Sequence, residues 1–130
     1  MTKNKDSEIR LGRLEMQIMN VVWEKGSATV HDVKDALGKG RKPAYSTILT
    51  MMRKIEAKGY LAHDVDNRTY VYRPTISQKV ARKSILGDII DRLFEGSPTL
   101  LLNSLVEQDQ VSREDLNQLQ ALIKEATKNE

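Results

Sequence analysis

Apolar residues recur at helical spacing through the first half of the chain. Between positions 11 and 55 they are spaced three or four residues apart in three stretches, which is the period of an amphipathic helix. Gly26, Gly38 and Gly59 follow these stretches, as is typical of the residue after a helix. The pattern predicts three helices with these inward-facing residues: Leu11, Leu14, Ile18, Val21 and Val22 in the first, Val30, Val33 and Leu37 in the second, and Tyr45, Ile48, Met52 and Ile55 in the third.

The spacing changes after Gly59. Residues 60–64 and 68–73 are rich in aromatic and β-branched side chains, with Val65, Asp66 and Asn67 between them and Pro74 behind them. This pattern predicts a β-hairpin. Three helices followed by a hairpin form the winged-helix arrangement, a helix-turn-helix variant whose third helix enters the major groove of DNA.

Three further helices are predicted in the second half, beginning at Ser77, Ser97 and Ser112, because serine is a favoured N-cap. Their apolar stripes are too broad for so short a chain to cover, so we predict a homodimer. The alternative is that the stripes pack only on each other and on the first helix. The residues assigned to the dimer surface are Leu86, Ile89, Ile90, Leu93, Phe94, Leu101, Leu105, Leu116, Leu119 and Ile123.

The predicted fold class is therefore mainly α with a small β-hairpin wing. We expect a flexible arm over residues 1–10, a winged-helix DNA-binding domain over 11–76 and a helical dimerisation domain over 77–130. The charge is divided in the same way. Residues 1–76 hold 14 basic and 9 acidic side chains, whereas residues 77–130 hold 7 and 9. A basic first part and a slightly acidic second part are consistent with nucleic acid meeting only the first.

The composition excludes several classes of protein. The 130 residues contain no cysteine, so disulfides, thiolate metal clusters and cysteine nucleophiles are excluded. No apolar run approaches the roughly 20 residues that cross a bilayer, and the charged N-terminus does not resemble a signal peptide. We expect a cytoplasmic protein without membrane insertion.

The polar side of the third helix is the candidate DNA-binding surface. Ser46, Thr47 and Thr50 lie opposite its apolar side, and short hydroxyl side chains permit close approach to base edges. The expected phosphate contacts are Arg41, Lys42, Arg53, Lys54 and, at the tip of the hairpin, Arg68. A polar helix side is also typical of a merely solvated surface, and a winged-helix adaptor that binds protein instead of DNA is the alternative function.

Catalytic and metal-binding patterns are nearly absent from the sequence. His31 and His63 lie on different predicted elements, and no nucleophile stands at a suitable spacing from either. His31 and Asp35 share a helix side, but two ligands without a third favour a solvated pair over a metal site. We therefore predict no enzyme activity, no cofactor and no metal.

Several segments together resemble the penicillinase-repressor (BlaI/MecI) family of bacterial winged-helix repressors. The resemblance covers roughly residues 10–125. It is carried by these segments in order: LEMQIMNVVW at 14–23, AYSTI at 44–48, KGYL at 58–61, YVYRP at 70–74, LFEGS at 93–97 and SREDL at 112–116.

The resemblance implies a dimeric transcriptional repressor that binds double-stranded, pseudo-palindromic operator DNA. By position, it places Ser46, Thr47 and Thr50 at bases and Lys42, Arg53, Lys54 and Arg68 at phosphates. Family members that respond to antibiotics are cleaved at an Asn-Phe bond after a signal from a membrane sensor-protease. The matching bond here is Ser104-Leu105, with Asn103 one place earlier. The resemblance thus implies a sensor-protease, or a protease downstream of it, as a partner, although the cleavage sequence differs.

Overall fold

The computed structural model describes residues 9–38, 43–109 and 111–128, and these form two compact units that divide between Leu86 and Gly87. The predicted fold class, mainly α with a β-hairpin wing, is confirmed. The elements are α1 (Arg13–Lys25), α2 (Val30–Ala36), α3 (Tyr45–Ala57), β1 (Leu61–Asp66), β2 (Thr69–Pro74), α4 (Gln78–Leu93), α5 (Pro98–Glu107) and α6 (Arg113–Thr127).

The core of the first unit lies between α1, α2, α3 and the hairpin. Its largest fully buried side chains come from all four elements: Ile18, Met19, Val22, Val33, Ile48, Met52, Ile55 and Tyr72. The segment before α2 also pairs with the hairpin, because the N–H of Ala28 donates to the carbonyl of Tyr72 and the reverse bond forms as well, both at 2.8 Å. The hairpin is therefore held both by the burial of Tyr72 in the core and by its hydrogen bonds to the segment before α2.

Side-chain caps fix where four of the helices begin, including the three predicted at Ser77, Ser97 and Ser112. Thr29 Oγ1 accepts from the N–H of Asp32, and the Asp32 carboxylate accepts from the N–H of Thr29. Ser112 and Asp115 repeat this capping box at α6, and these hydrogen bonds lower the pKa of both aspartates. Ser77 and Ser97 each accept one backbone N–H at the start of α4 and α5.

The helix α3 differs from the sequence-based prediction in the orientation of one side chain. It begins at Tyr45 after the N-cap residue Ala44. Ile48, Met52 and Ile55 are buried as predicted, but the inward orientation predicted for Tyr45 is wrong, since that side chain is 42% exposed. Tyr45 lies one turn before the first buried position, at the edge of the core, where its ring contacts His31.

The hairpin is longer and its turn tighter than predicted. Leu61 pairs with Pro74 and Asp66 pairs with Thr69, so the predicted connection through Val65 and Asp66 is wrong, and the turn consists of Asn67 and Arg68 alone. Both have positive φ, 53° and 70°. Two successive left-handed residues give a turn whose twist matches that of the flanking strands, which allows pairing up to the turn.

The second unit buries none of its side chains within residues 87–109 and 111–128. The helix α4 ends at Leu93, and the N–H of Gly96 then donates to the carbonyl of Ile90. Of the residues assigned to the dimer surface, Ile89, Leu93, Leu116 and Ile123 are exposed, as is Leu86 of the first unit, whereas Ile90, Phe94, Leu101, Leu105 and Leu119 are half-buried.

No helix in the described ranges has the length and apolar character that a membrane span requires.

Candidate nucleic-acid interface

The exposed side of α3 presents the predicted polar residues together. Ser46, Thr47 and Thr50 are exposed, and so are Arg53 and Lys54 one turn later. The opposite side of the same helix is anchored in the core through fully buried isoleucine and methionine side chains. The hydroxyl groups therefore stand on a rigid element, as residues that read base edges require.

The hairpin places Arg68 at its turn, where the side chain is exposed. This is the position predicted from the sequence for a wing contact. Of the two wing tyrosines, Tyr72 is fully buried in the core, whereas Tyr70 is exposed. Burial raises the pKa of the Tyr72 hydroxyl above its usual value.

A cleft of about 310 Å³ separates α3 from the wing. Its lining residues come from the start of α2, from α3 and from the hairpin turn: Thr29, Val30, His31, Tyr45, Leu49, Arg53, Arg68, Thr69 and Tyr70. The two arginines assigned to phosphates thus line one space. The inclusion of Tyr45, Tyr70 and His31 was not predicted, because the sequence pattern gives the side of a helix but not the distance between separate elements.

A polar and aromatic contact joins α3 to the hairpin. Nδ1 of His63 in β1 lies 2.6 Å from Oε2 of Glu56 in α3. The His63 ring stacks on Tyr70 with 4.1 Å between centroids. The sequence alone does not indicate this contact, since the partners of His63 lie on α3 and on the neighbouring strand. The contact fixes the wing relative to the side of α3.

The C-terminal end of α3 is tied to α1 by an ion pair. Glu15 Oε1 accepts from Lys58 Nζ and from the N–H of Gly12, both at 2.8 Å, although Glu15 is only 6% exposed. Burial raises the pKa of Glu15, but these hydrogen bonds outweigh that effect and hold it below its usual value. The position of Glu15 within the apolar stripe of α1 was a signal in the sequence that this carboxylate is buried.

Residues 11–125 match the family model described as Penicillinase repressor. The chain belongs to the penicillinase repressor family. The resemblance noted from the sequence is therefore confirmed, and the match extends over both compact units.

Relatives of this penicillinase repressor family member cover nearly the whole chain. The penicillinase repressor of Bacillus licheniformis is 28% identical over 111 residues, 85% of this chain and 87% of that protein. The methicillin resistance regulatory protein MecI of Mammaliicoccus sciuri is 22% identical over 120 residues, which cover 92% and 96% of the two chains.

A solved structure is also similar to this repressor family member. It is the monomeric form of Bacillus licheniformis BlaI in complex with the blaP half-operator, determined in solution. The identity is 29%, the match covers 55% of this chain and 88% of that chain, and the TM-score is 0.48.

The remaining site residues predicted for this family member divide into two groups. Arg41 and Lys42 lie outside the described residues. Ser104 and Leu105 lie in α5, where both are half-buried. Within the described ranges, no group of three His, Asp or Glu residues is placed to hold a metal ion.

Proposed function

We propose that this chain is a dimeric, sequence-specific transcriptional repressor that acts in the cytoplasm on a pseudo-palindromic operator. The observation that carries the proposal is the exposed hydroxyl side of α3, which stands on a buried core and is flanked by arginines of α3 and the wing. Membership of the penicillinase repressor family supports it.

In this proposal, the surface of α3 and the wing divides the contacts by chemistry. Ser46, Thr47 and Thr50 contact bases, because short side chains bring α3 close to the floor of the major groove. Phosphates are held by the basic residues around them: Arg41, Lys42, Arg53, Lys54 and Arg68. The phosphate contacts fix the orientation of the domain, and the hydroxyl groups supply the discrimination between sequences.

The charge of the two units supports this orientation. Residues 1–86 hold 17 basic and 9 acidic side chains, a net charge of +8, whereas residues 87–130 hold 4 and 9, a net charge of −5. The boundary found in the structure assigns the exposed Lys79, Arg82 and Lys83 to the first unit. The difference in net charge between the two parts is therefore larger than it is with a division after residue 76. The first unit attracts DNA and the second does not.

Dimerisation is assigned to the second unit. Within residues 87–109 and 111–128 it carries exposed leucines, isoleucines and Val106 and buries no side chain, which is unusual for a chain that is stable as a monomer. A second copy of the chain would cover these residues. Two linked DNA-binding units then engage two half-sites, which raises the affinity without new contacts.

Relief of repression is assigned to a proteolytic or ligand signal. The Ser104-Leu105 bond, which matches the family's cleavage position, lies inside helix α5. A protease binds its substrate as an extended strand, so cleavage there requires local unfolding of α5. A membrane sensor-protease, or a protease downstream of it, is the partner that this route requires.

The proposal is tested by selection from a library of random DNA duplexes with the full chain, beside a variant in which Ser46, Thr47 and Thr50 are all alanine. We expect the full chain to enrich a two-fold symmetric sequence and the variant to retain DNA without enrichment. Equal enrichment by both would contradict the assignment of α3. Retention of no DNA by either would favour the adaptor that binds protein.

A further inference from the structure

The cleft between α3 and the wing is lined by two cations, Arg53 and Arg68. Among the residues that the structure describes, no aspartate or glutamate lines it. Neither arginine forms a salt bridge with any residue in 9–38, 43–109 or 111–128. Two guanidinium groups that line one space without partners favour an anion there, because their planar N–H donors match carboxylate and phosphate oxygens.

The other walls of the cleft include apolar and aromatic surface beside Thr29, Thr69 and His31. Val30 and Leu49 contribute aliphatic surface, and Tyr45 and Tyr70 contribute rings. These rings have neighbours that hold them, since Tyr45 lies 5.1 Å from the His31 ring and Tyr70 stacks on His63. A volume of about 310 Å³ is at the small end of ligand pockets. A bare phosphate would leave the apolar walls without contacts, whereas a flat aromatic acid would cover them.

We propose that this cleft binds a small aromatic carboxylate. Arg53 and Arg68 hold its carboxylate group, and its ring packs against the tyrosines and the aliphatic surface. The same two arginines are assigned to DNA phosphates, so the ligand and DNA exclude each other. This regulatory consequence rests on the proposed function, whereas binding of the carboxylate itself does not. The cleft thereby provides a ligand signal that releases DNA without cleavage of the chain.

Binding is tested on the ¹⁵N-labelled full chain without DNA by NMR titration with three probes. These are 2-naphthoate, the neutral 2-naphthylmethanol and inorganic phosphate. We expect saturable shifts of the amides of Thr29, Leu49 and Thr69 with 2-naphthoate, and binding at least about tenfold weaker with each of the other two probes.

Each other outcome of the titration overturns a defined part of the proposal. Phosphate binding as tight as that of 2-naphthoate would make the cleft a phosphate site only. If 2-naphthylmethanol bound as tightly as 2-naphthoate, the arginines would not hold the carboxylate group. No saturation by 2-naphthoate would overturn the site itself.

Variants show whether binding of 2-naphthoate depends on the two arginines of the cleft or only on the net charge of the chain. Arg53→Gln and Arg68→Gln each remove a cation from the cleft and are expected to weaken 2-naphthoate binding at least about tenfold. Arg73→Gln is the matched control, because Arg73 is exposed on β2 but does not line the cleft. The amide spectrum of each variant reports whether it is folded. An equal loss in Arg73→Gln would overturn the assignment.

Competition with DNA is measured by fluorescence anisotropy of a labelled duplex at constant ionic strength, with 2-naphthylmethanol as the control. We expect the apparent Kd for DNA to rise in proportion to the concentration of 2-naphthoate. If 2-naphthoate binds and the DNA affinity is unchanged, the regulatory consequence is wrong. If the chain binds no DNA under any condition, the proposed function fails, while the NMR titration still decides the carboxylate site.

Discussion

Nζ of Lys58 lies 2.8 Å from Oε1 of Glu15, and this ion pair joins the end of α3 to the core side of α1. Lys58 Nζ also donates to the carbonyl of Arg10 at 3.1 Å, and the N–H of Arg10 donates to the Tyr60 hydroxyl. The helix assigned to base recognition is thus held at its C-terminal end by a charged group that is almost fully buried. Its orientation depends on α1 as well as on its own apolar side.

Glu15→Gln is expected to lower the free energy of unfolding by about 1–2 kcal/mol, because it removes a charge-assisted hydrogen bond and leaves the half-buried Lys58 without its carboxylate. Thermal unfolding followed by circular dichroism measures this. Glu24→Gln, at an exposed position of the same helix, is the control and is expected to be neutral.

The Glu15→Gln variant also tests how the free energy of unfolding depends on pH. The pKa of Glu15 is lower in the folded chain than the ordinary value of about 4.3, so its ionised form stabilises the fold above that pH. This contribution is lost as the pH falls through the folded-state pKa. Below about pH 5, the wild type should therefore lose stability more steeply than Glu15→Gln. If the free energy of unfolding changed with pH in parallel for the two proteins, Glu15 would not contribute to the pH dependence of stability.

Tyr72→Phe is expected to leave the free energy of unfolding unchanged or slightly higher. The Tyr72 hydroxyl is buried and has no hydrogen-bond partner within the described part of the chain, so its removal relieves an unpaired polar group. Tyr72→Ala instead leaves a cavity and should cost about 3–5 kcal/mol. Denaturant unfolding compares the two variants. A large loss in Tyr72→Phe would indicate that the Tyr72 hydroxyl forms a stabilising hydrogen bond.

Arg68→Ala is expected to weaken binding to every DNA sequence and to reduce the slope of log K against log salt by about one unit, as the loss of one phosphate contact requires. Arg73→Ala tests whether any wing arginine has this effect. Anisotropy titrations at several salt concentrations give both slopes. A specific loss at one base position would instead mean that Arg68 reads sequence.

Thr47→Ala is expected to act on specificity. It should reduce discrimination at particular base pairs by about 1 kcal/mol, or roughly fivefold, while binding to unrelated DNA stays the same. Competition between the selected site and its single-base variants measures this. Uniform weakening on all sequences would show that Thr47 serves only to position the helix.

Leu93→Asp is expected to give monomers and to weaken operator binding at least about 100-fold, because it places a charge where a partner chain would cover Leu93. Leu93 is 71% exposed in the single chain, so folding of the monomer should be unaffected. Arg92→Gln changes the charge by the same amount at the neighbouring exposed position. An unchanged dimer in sedimentation would exclude this part of the surface from the interface.

Much of the fold follows from local chemistry that a sequence displays directly. The capping pairs Thr29 with Asp32 and Ser112 with Asp115 sit at fixed short spacings, and the buried side of α3 follows from the helical period. The period does not show where the core ends along a helix. For this reason the helical period predicts an inward Tyr45, one turn before the first buried residue of α3, although that side chain is exposed.

The candidate site was predicted less completely because it is assembled from separate elements. Exposure of Ser46, Thr47 and Thr50 follows from the same period that buries Ile48 and Met52. The cleft that brings Arg53 of α3 beside Arg68 of the wing depends on the packing of the hairpin, which spacing along the chain does not give. The two-residue turn at Arg68 was missed because neither residue is glycine, the usual residue at positive φ.

The proposed function depends on the binding of a specific DNA sequence by α3 and the wing. It is tested most directly by sequencing the fragments of genomic DNA from the source organism that the full chain retains at two salt concentrations. We expect a recurring, two-fold symmetric site whose retention falls steeply with salt. Retention without sequence preference, or no retention, would contradict it.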